Sequence, residues 1–542
     1  MSEKQRYETQ RMDHHGIVAG ICHEIGLVEQ IDQIVGRGER KVSCGEATLA
    51  MVLNGLGFSS RALYLVSDFL RNKPVDLLIN PNLAADDFND DTLGRALDDL
   101  YAYGVTEVFA GVSARAMQTY EIETDFRHLD SSSLHLHGEY DGMDPETTAI
   151  TITHGYSRDH RPDLKQVIVQ LITMESSRLP VWLEVLSGNS SDKSTFVPSI
   201  KAYSNQLSEE EQPYYVMDSA GFSKENMNDL GKTRWLTRVP ETLSEAKRLV
   251  RETDQSGMEA LREGYSGKEI LVKYGGIQQR WLVVFSEAAY QRELKTLDRV
   301  QARELEKVKK QWRKLRQVTF KCEPDAAKAC DRFNQRWKYH QAQAQADPLS
   351  QYARRGRPAA QDEPEVVGYK VQGEIVVKEP LLDEAKKSLG KFIIATNEQD
   401  PSRLSAQAML AHYTAQGVSV ERGFRFLKDP MFFADSLFLK KPERIMALVM
   451  IMGLSLLIYA LAERKLRLAL QEKNECIPDQ KGKPTNTPTM RWVFQTFEGI
   501  DVLSVRSGDR VILRQMLNLQ PVHLQIIHLL GPPIQKCYLE DL

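Results

Sequence analysis

TDFRHLDSS, residues 124–132, opens a run of segments rich in β-branched and aromatic residues. TAITITHG (148–155), KQVIVQLITM (165–174) and LPVWLEVLSGN (179–189) follow it, each bounded by Gly, Pro, Asp or Ser clusters, which predicts short strands. Three neighbouring strands of this kind indicate an antiparallel meander. A predicted helix, DKSTFVPSIKAYSNQL (192–207), precedes a last strand, YYVMDSA (214–220). The sequence therefore predicts an α/β region over residues 116–240 in the order βββ-α-β.

Two aspartates in this region are candidate catalytic residues. Alternation along a strand puts Phe126, His128 and Asp130 on one face. Asp218 closes the apolar strand YYVM, where a buried carboxylate is costly unless it caps a helix or faces a site. For either aspartate alone, a turn or N-cap residue is the simpler interpretation.

The third candidate is Glu421, in a stretch with helical periodicity. Val420, Phe424 and Leu427 form its apolar stripe, while Glu421 lies on an adjacent face with Arg425 and Lys428. Taken alone, this is a solvated charged face.

The three acids together predict a metal site. Two aspartates at strand ends and a glutamate on a later helix can hold two divalent ions, one for the attacking oxygen and one for the leaving oxygen. Mg²⁺ prefers carboxylate and water oxygens, and Mn²⁺ can replace it. Without cations, the three carboxylates would repel one another. We therefore expect Asp130, Asp218 and Glu421 to bind two Mg²⁺ ions.

The region before the predicted strands, residues 1–115, is expected to be an all-α N-terminal DNA-binding domain. Its apolar spacing is helical throughout. The break at 55–60, with Ser59 or Ser60 as an N-cap, resembles a helix-turn-helix junction. Two helices of an ordinary bundle remain an alternative.

Residues 241–392 are interpreted as a large α+β insertion, with strands and a charged helical hairpin. Ten basic and four acidic residues lie between positions 292 and 316, and Leu305, Val308, Trp312 and Leu315 form a heptad-like stripe there. Such a helix could contact phosphates without reading sequence, and a solvated coiled-coil face is the alternative. The predicted organisation ends with residues 393–472, a second part of the α/β region begun at 116–240, and with a C-terminal region, residues 473–542.

One apolar segment, residues 445–462, reaches the lower length limit of a membrane span. Basic residues flank both of its ends, so they give it no orientation. A helix that is apolar all round also occurs in the centre of a large domain, and we favour that interpretation.

Composition narrows the function classes. A formal net charge of −4 argues against phosphate contacts over the whole surface, so any cationic surface is local. The six cysteines show no CxxC spacing typical of zinc or a disulfide framework, and the N-terminus has no apolar export signal. We expect a cytoplasmic protein that does not bind membranes.

Several blocks carry a family resemblance: DSSSLHLHGEY (130–140), HGYSRDHRPDLKQ (154–166), YYVMDSAGFS (214–223), VERGFRFLKDPMFF (420–433) and PTMRWVFQTFEGI (488–500). In this order they resemble bacterial insertion-sequence transposases of the DDE class. The chain is most similar to the IS-four branch, which has a strand-rich insertion and a Tyr, Arg, Glu, Lys signature. The resemblance implies an RNase H-like catalytic core, in agreement with the βββ-α-β order.

Carried over position by position, Asp130, Asp218 and Glu421 match the catalytic triad, and Lys428 matches the signature lysine. Tyr413 lies eight positions before the glutamate, where the pattern has seven, and the signature arginine position falls on Gly417. Arg422 or Arg425 could replace that arginine on the DNA phosphates.

The resemblance implies cut-and-paste transposition: binding of double-stranded inverted repeats, hydrolysis that frees a 3′-hydroxyl, a hairpin on the transposon end, and strand transfer into target DNA. Two ends imply at least a homodimer. Trp235 or Trp281 could stack on an extruded base, with core packing as the alternative. A non-catalytic repressor derived from a transposase and a plain Mg²⁺ nuclease are alternative functions.

Three histidines, His135, His137 and His154, suggest a second metal site. In an unbroken strand, however, His135 and His137 point to the face opposite Asp130. We therefore do not favour a histidine metal site.

Overall fold

The computed structural model describes residues 5–58, 65–122, 126–140, 149–208, 212–352, 363–429, 439–507 and 510–539, apart from the side chains of residues 5, 416–420 and 510. The fold is mixed α/β. The chain divides into two compact units, the first formed by residues 1–237, 275–277 and 411–542, and the second by residues 238–274 and 278–410.

The chain begins with a strand and then continues as helices. The strand is β1 (Gln5–Arg11), and the helices are α1 (His15–Glu24), α2 (Leu27–Val35), α3 (Cys44–Gly55), α4 (Val66–Leu70), α5 (Val75–Leu78), α6 (Asp90–Tyr103) and α7 (Val105–Thr119). The prediction of an all-α region is thus wrong at β1. QRYETQR has no alternating apolar pattern that would predict a strand. It forms one because it pairs with residues 501–507, far away in the sequence. The proposed caps Ser59 and Ser60 lie outside the described residues.

The predicted βββ-α-β order is confirmed. The elements are β2 (Phe126–Leu136), β3 (Lys165–Met174), β4 (Pro180–Ser187), α8 (Asp192–Ser204) and β5 (Tyr214–Met217), followed by α9 (Lys224–Leu230) and β6 (Trp235–Arg238). In the first unit the strands lie in the order β4-β3-β2-β5-β6. The first three are antiparallel, whereas β5 is parallel to both β2 and β6. The strand predicted at 148–155 is wrong in its described part, where only a single bridge joins Thr153 to Gln166.

The second unit contains α10 (Ser244–Glu252), β7 (Glu259–Arg262), β8 (Tyr265–Tyr274), β9 (Ile277–Ser286), α11 (Glu287–Leu315), α12 (Glu323–Gln335), β10 (His340–Gln351), β11 (Glu365–Val377), α13 (Glu379–Lys386) and β12 (Lys391–Thr396). Its strands run in the order β12-β9-β8-β7, and β10 pairs with β11 in a separate hairpin. The cationic helix is α11. Its predicted stripe is buried at Val308 and Trp312, which pack on Phe333 of α12 and on the β10–β11 hairpin.

The remaining elements are α14 (Ala406–Leu427), α15 (Pro442–Glu472), β13 (Ile477–Pro478), β14 (Pro484–Thr485), α16 (Met490–Thr496), β15 (Asp501–Ser507), β16 (Arg510–Leu517), α17 (Pro521–Leu530) and α18 (Pro532–Tyr538). β15 pairs antiparallel with β1 on one side and with β16 on the other. Residues 5–11 and 501–517, which are distant in the sequence, therefore form one three-stranded sheet.

Helix α15 is the centre of the first unit. It packs on α1, α3, α6, α7, α17 and β4. A Cβ at Gly453 would lie 2.3 Å from Leu183 Cδ1, so a larger residue there would displace the Leu183 side chain of β4. The helix is long and apolar enough to cross a membrane by composition, but 83% of its most apolar window is buried inside the protein. This burial is what a core helix requires.

Candidate active site

Strand β2 places Asp130 at the edge of a cavity. Phe126, His128 and Asp130 lie on the strand face covered by α14, as the alternation predicted. The Phe126 ring stacks on His412 of α14, with ring centroids 3.4 Å apart. The buried His128 binds Glu175 through Nε2 at 3.0 Å, and Nδ1 of His412 binds the same carboxylate at 2.9 Å. Glu175 therefore joins the start of α14 to β2.

This attachment brings Glu421 alongside Asp130. From His412 to Glu421 the helix advances roughly 13 Å at about 1.5 Å per residue. From Phe126 to Asp130 the strand advances roughly 13 Å at about 3.3 Å per residue. Consistent with this, Asp130 and Glu421 line the same cavity of about 550 Å³. We call it the carboxylate cavity; its other lining residues are Ser131, Ser132, Arg158, Asp159, Phe424, Arg425, Lys428 and Asp429.

Asp218 follows the neighbouring strand β5, and its charge acts on Asp130, but it does not line the carboxylate cavity in the described part of the chain. β2 and β5 are parallel with His128 opposite Val216, so continuing the register by two residues brings Asp218 opposite Asp130. Adjacent strands lie about 4.8 Å apart. Asp218 is half-buried and also caps the turn that follows it, since its Oδ1 accepts from the Ala220 N–H at 2.9 Å. The capping interpretation of Asp218 is therefore confirmed.

Two residues that the sequence did not single out complete the charge network. Arg158 donates from Nη1 to Asp130 Oδ1 at 3.1 Å and from Nη2 to Ser131 Oγ at 3.0 Å, and it also forms an ion pair with Asp192, the first residue of α8. Ser131 donates its hydroxyl proton to Asp192 as well. The signal for Arg158 was its place in the block at 154–166; Asp192 resembled an ordinary acid in the first turn of a helix.

Burial is the main reason why the pKa values of Asp130 and Asp218 are raised. It raises the pKa of Asp130 from 3.8 to about 6, against the opposing effect of the Arg158 charge and of the Ser131 N–H. The charge of Asp218 raises the pKa of Asp130 further. Burial also raises the pKa of Asp218, with Asp192 adding to that increase. The site therefore concentrates negative charge that is poorly solvated.

The donor chemistry fits hard divalent cations. Asp130, Asp218 and Glu421 offer carboxylate oxygens, the ligands that Mg²⁺ prefers. Among the described residues, no three acidic, histidine or cysteine side chains lie close enough together to hold an ion. Arg158 provides the positive charge at Asp130 and Asp192 instead. The described histidines form no metal cluster either, and His135 instead contacts Ser157 Oγ at 2.9 Å.

Of the four candidate DNA-binding residues of α14, Lys428 and Arg425 line the carboxylate cavity, whereas Arg422 and Tyr413 do not. Lys428 lines the carboxylate cavity and pairs with Asp159 at 2.6 Å, and the exposed Arg425 lines it without an acidic partner among the described residues. Arg422 turns instead toward α15, where it pairs with Glu463 at 2.7 Å. Tyr413 is half-buried and does not line the cavity in the described part of the chain. Phe424 and Leu427 are buried as predicted, while the side chain of Val420 lies outside the described residues.

The proposed stacking role of Trp235 and Trp281 is wrong. Both indole rings are fully buried. Trp235 packs edge-on against Phe222, and the Trp281 Nε1–H donates to Gln279 Oε1 at 2.8 Å. A buried ring presents no face to a base. Trp235 is a core residue of the first unit and Trp281 of the second, which agrees with the alternative interpretation of core packing.

Comparison with known proteins gives two family matches. Residues 123–458 match a family described as "Transposase DDE domain", and residues 7–114 match a domain of unknown function. No curated protein sequence matches the chain. One similar solved structure is the cryo-EM structure of a piggyBac transposase synaptic complex with hairpin DNA, at 10% sequence identity and a TM-score of 0.37, covering 91% of this chain and 82% of the other.

Proposed function

The chain belongs to the transposase DDE domain family, which matches more than half of its length, and on that premise we propose that it is a cut-and-paste DNA transposase of an insertion sequence. The observation that carries the proposal is the shared cavity of Asp130 and Glu421. Two acids that are distant in the sequence, Asp130 and Glu421, thereby line one cavity. Asp218 follows the adjacent parallel strand β5, and its charge raises the pKa of Asp130. We assign the chain to the IS-four branch on its Glu421 and Lys428 spacing and on the quoted blocks.

An RNase H-like core is part of the proposal. Its support is the order β4-β3-β2-β5-β6, with three antiparallel strands followed by parallel ones and the two aspartates on adjacent strands. A helix that follows in the sequence brings the glutamate over the same sheet face. These features favour polynucleotide chemistry over a simple binding fold.

Asp130, Asp218 and Glu421 would hold two Mg²⁺ ions, or Mn²⁺, which when bound supply activation of the attacking oxygen and charge stabilisation at the leaving oxygen. The protein's own residues orient the strand. Lys428 and Arg425, at the rim of the carboxylate cavity, are positioned to contact the phosphates beside the scissile bond. Arg158 balances Asp130 and Asp192 before the site is loaded.

The reaction that we propose is hydrolysis of the phosphodiester at each inverted repeat. Water adds at phosphorus, the bond to the 3′-oxygen breaks, and a 3′-hydroxyl is freed. In strand transfer this hydroxyl becomes the nucleophile on target DNA. Since two ends must be joined, the DNA complex contains at least a dimer, with sequence recognition by residues 1–115.

The test is the variant Asp130→Asn. It keeps the shape of the side chain but removes one carboxylate, so binding of the transposon end should persist while Mg²⁺-dependent cleavage is lost. The matched control is Asp163→Asn, whose carboxylate is exposed and pairs with Arg161; it should cleave like the wild type. Loss of binding with cleavage retained would contradict the assignment.

The same assay separates the alternatives. Binding by the wild type without cleavage would indicate a repressor. Cleavage without joining of the cut ends to a target would indicate a nuclease.

A further inference from the structure

A second cavity adjoins the carboxylate cavity and is lined by arginines. It measures about 510 Å³ and lies between α14, α15, the turn that precedes β4 and the start of α16. Six of its lining residues are Arg178, Arg422, Arg425, Arg464, Arg467 and Arg491, and its only described acids are Asp429 and Glu463. We call it the arginine cavity. Its formal charge of about +4 stands out in a chain whose net charge is −4.

The two acids are already engaged. Glu463 accepts from Arg422 at 2.7 Å and pairs with Arg467 at 3.1 Å, while Asp429 pairs with Arg491 at 3.0 Å. In the described part of the chain, Arg178, Arg425 and Arg464 have no acidic partner within ion-pair distance. Three guanidinium groups therefore face the cavity with their charge uncompensated.

The arginines also act on one another. Burial lowers the pKa of Arg467, and the charges of Arg422 and Arg178 lower it further. Burial likewise lowers the pKa of Arg464. Concentrating like charges in a partly enclosed space costs free energy, which an anion in the cavity would offset. Arginine, with its planar fork of donors, suits phosphate oxygens well.

Arg425 and Asp429 line both cavities, so the two lie next to each other. A DNA strand whose scissile phosphate lies at Asp130 and Glu421 would pass Arg425 and enter the arginine cavity. We propose that the arginine cavity binds the sugar-phosphate backbone of the strand that leaves the carboxylate cavity. This inference rests on the proposed function and adds the path of the substrate.

The test is the double variant Arg178→Gln/Arg464→Gln in the full chain. Neither residue pairs with a described acid, so the fold should tolerate both changes. Binding is measured by fluorescence anisotropy in EDTA over a NaCl series, with a duplex made from the DNA that borders the gene. The slope of log K against log[salt] is negative, and each lost phosphate contact should reduce its magnitude by about 0.9, so the variant's slope should be less steep by about 2.

The control is Arg248→Gln/Arg251→Gln, which removes the same charge from exposed positions on α10, outside the region proposed to recognise DNA. It should keep the wild-type slope. If the cavity variant also keeps it while the wild type binds DNA, the inference is wrong and the proposed function stands. If the wild type binds no DNA, the proposed function fails and the inference with it.

A second measurement identifies the occupant. Phenylglyoxal modifies accessible arginines, and peptide mass spectrometry reads the extent at each position. The duplex should protect Arg178 and Arg464, whereas inorganic phosphate at the same phosphate concentration should not. Equal protection by inorganic phosphate would show a small-anion site and overturn the proposal.

Discussion

Arg158 donates to the Asp130 carboxylate at 3.1 Å, and its other terminal nitrogen is paired with Asp192 at the start of α8. One guanidinium thus holds together two carboxylates that belong to different elements. Both acids are largely buried, with 17% and 15% of their side chains exposed. Such carboxylates need a nearby positive charge, and in the metal-free protein Arg158 supplies it.

Arg158→Gln should lower the free energy of unfolding by about 1–2 kcal/mol at pH 7 in EDTA, because it leaves two poorly solvated carboxylates without a counter-charge. Urea unfolding followed by circular dichroism measures the change. Arg161→Gln is the control from the same loop, and it should leave stability unchanged because Arg161 pairs with Asp163 on the exposed surface.

Added Mg²⁺ should raise the Tm of Arg158→Gln more than that of the wild type. In the variant, a cation at these carboxylates displaces no resident guanidinium. Equal increases in Tm would contradict the counter-charge role of Arg158.

The raised pKa of Asp130 predicts a specific pH dependence. Its pKa is about 6 in the folded protein against an ordinary 3.8, so between these values the folded state binds more protons than the unfolded state. Stability from this group therefore falls as pH rises through that window. Asp130→Asn cannot ionise, so its unfolding free energy relative to the wild type should increase by up to about 3 kcal/mol between pH 4 and pH 7.

Urea unfolding in EDTA at several pH values gives this difference. Asp163→Asn should show no increase over the same window, because the hydrogen bond from Arg161 holds the pKa of Asp163 at about 2, below the window. A constant difference between Asp130→Asn and the wild type would mean that Asp130 is not desolvated.

Local sequence patterns predicted the elements that carry their own signal. The β-branched runs that became β2, β3, β4 and β5 were identified, as was the buried α15. β10 was missed, because alternating Ala and Gln residues (HQAQAQ) are not typical of a strand, although Ala342 is buried against the helices. β1 was missed because its partner, β15, lies near the other end of the chain.

The site was predictable in part. Asp130 and Glu421 were paired by their shared metal-binding chemistry and by resemblance to a family, since each alone favoured a simpler interpretation, and the structure brings them to one cavity. The partnership of Arg158 with Asp192 could not be predicted, since neither residue has unusual neighbours in the sequence. It arises only when the loop after β2 folds back over the strand.

Glu175→Gln should weaken the attachment of α14 to β2. The carboxylate accepts from both His128 and His412, and these hydrogen bonds hold its pKa at about 2 although burial would raise it. The substitution should lower the unfolding free energy by about 1–3 kcal/mol at pH 7 and slow cleavage by displacing Glu421.

Chemical denaturation and a cleavage assay on the same preparations test this. Glu245→Gln, on the exposed face of α10, is the control and should change neither quantity. A stable but slow Glu175→Gln enzyme would support positioning alone, whereas unchanged stability and rate would contradict the role.

Substitutions at two glutamates of the first unit should affect cleavage and stability separately. Glu421 is exposed at the carboxylate cavity, while Glu463 on α15 is buried and binds Arg422, Arg467 and the Met490 N–H. Glu421→Gln should abolish cleavage and leave unfolding unchanged, since an exposed side chain contributes little to the fold. Glu463→Gln should lower the free energy of unfolding by about 3 kcal/mol, because it leaves two partly buried arginines, Arg422 and Arg467, without their carboxylate partner. Urea unfolding and Mg²⁺-dependent cleavage are measured for both variants. If Glu421→Gln cleaves DNA at the wild-type rate, the carboxylate cavity is not the active site, whatever the effect of Glu463→Gln on stability.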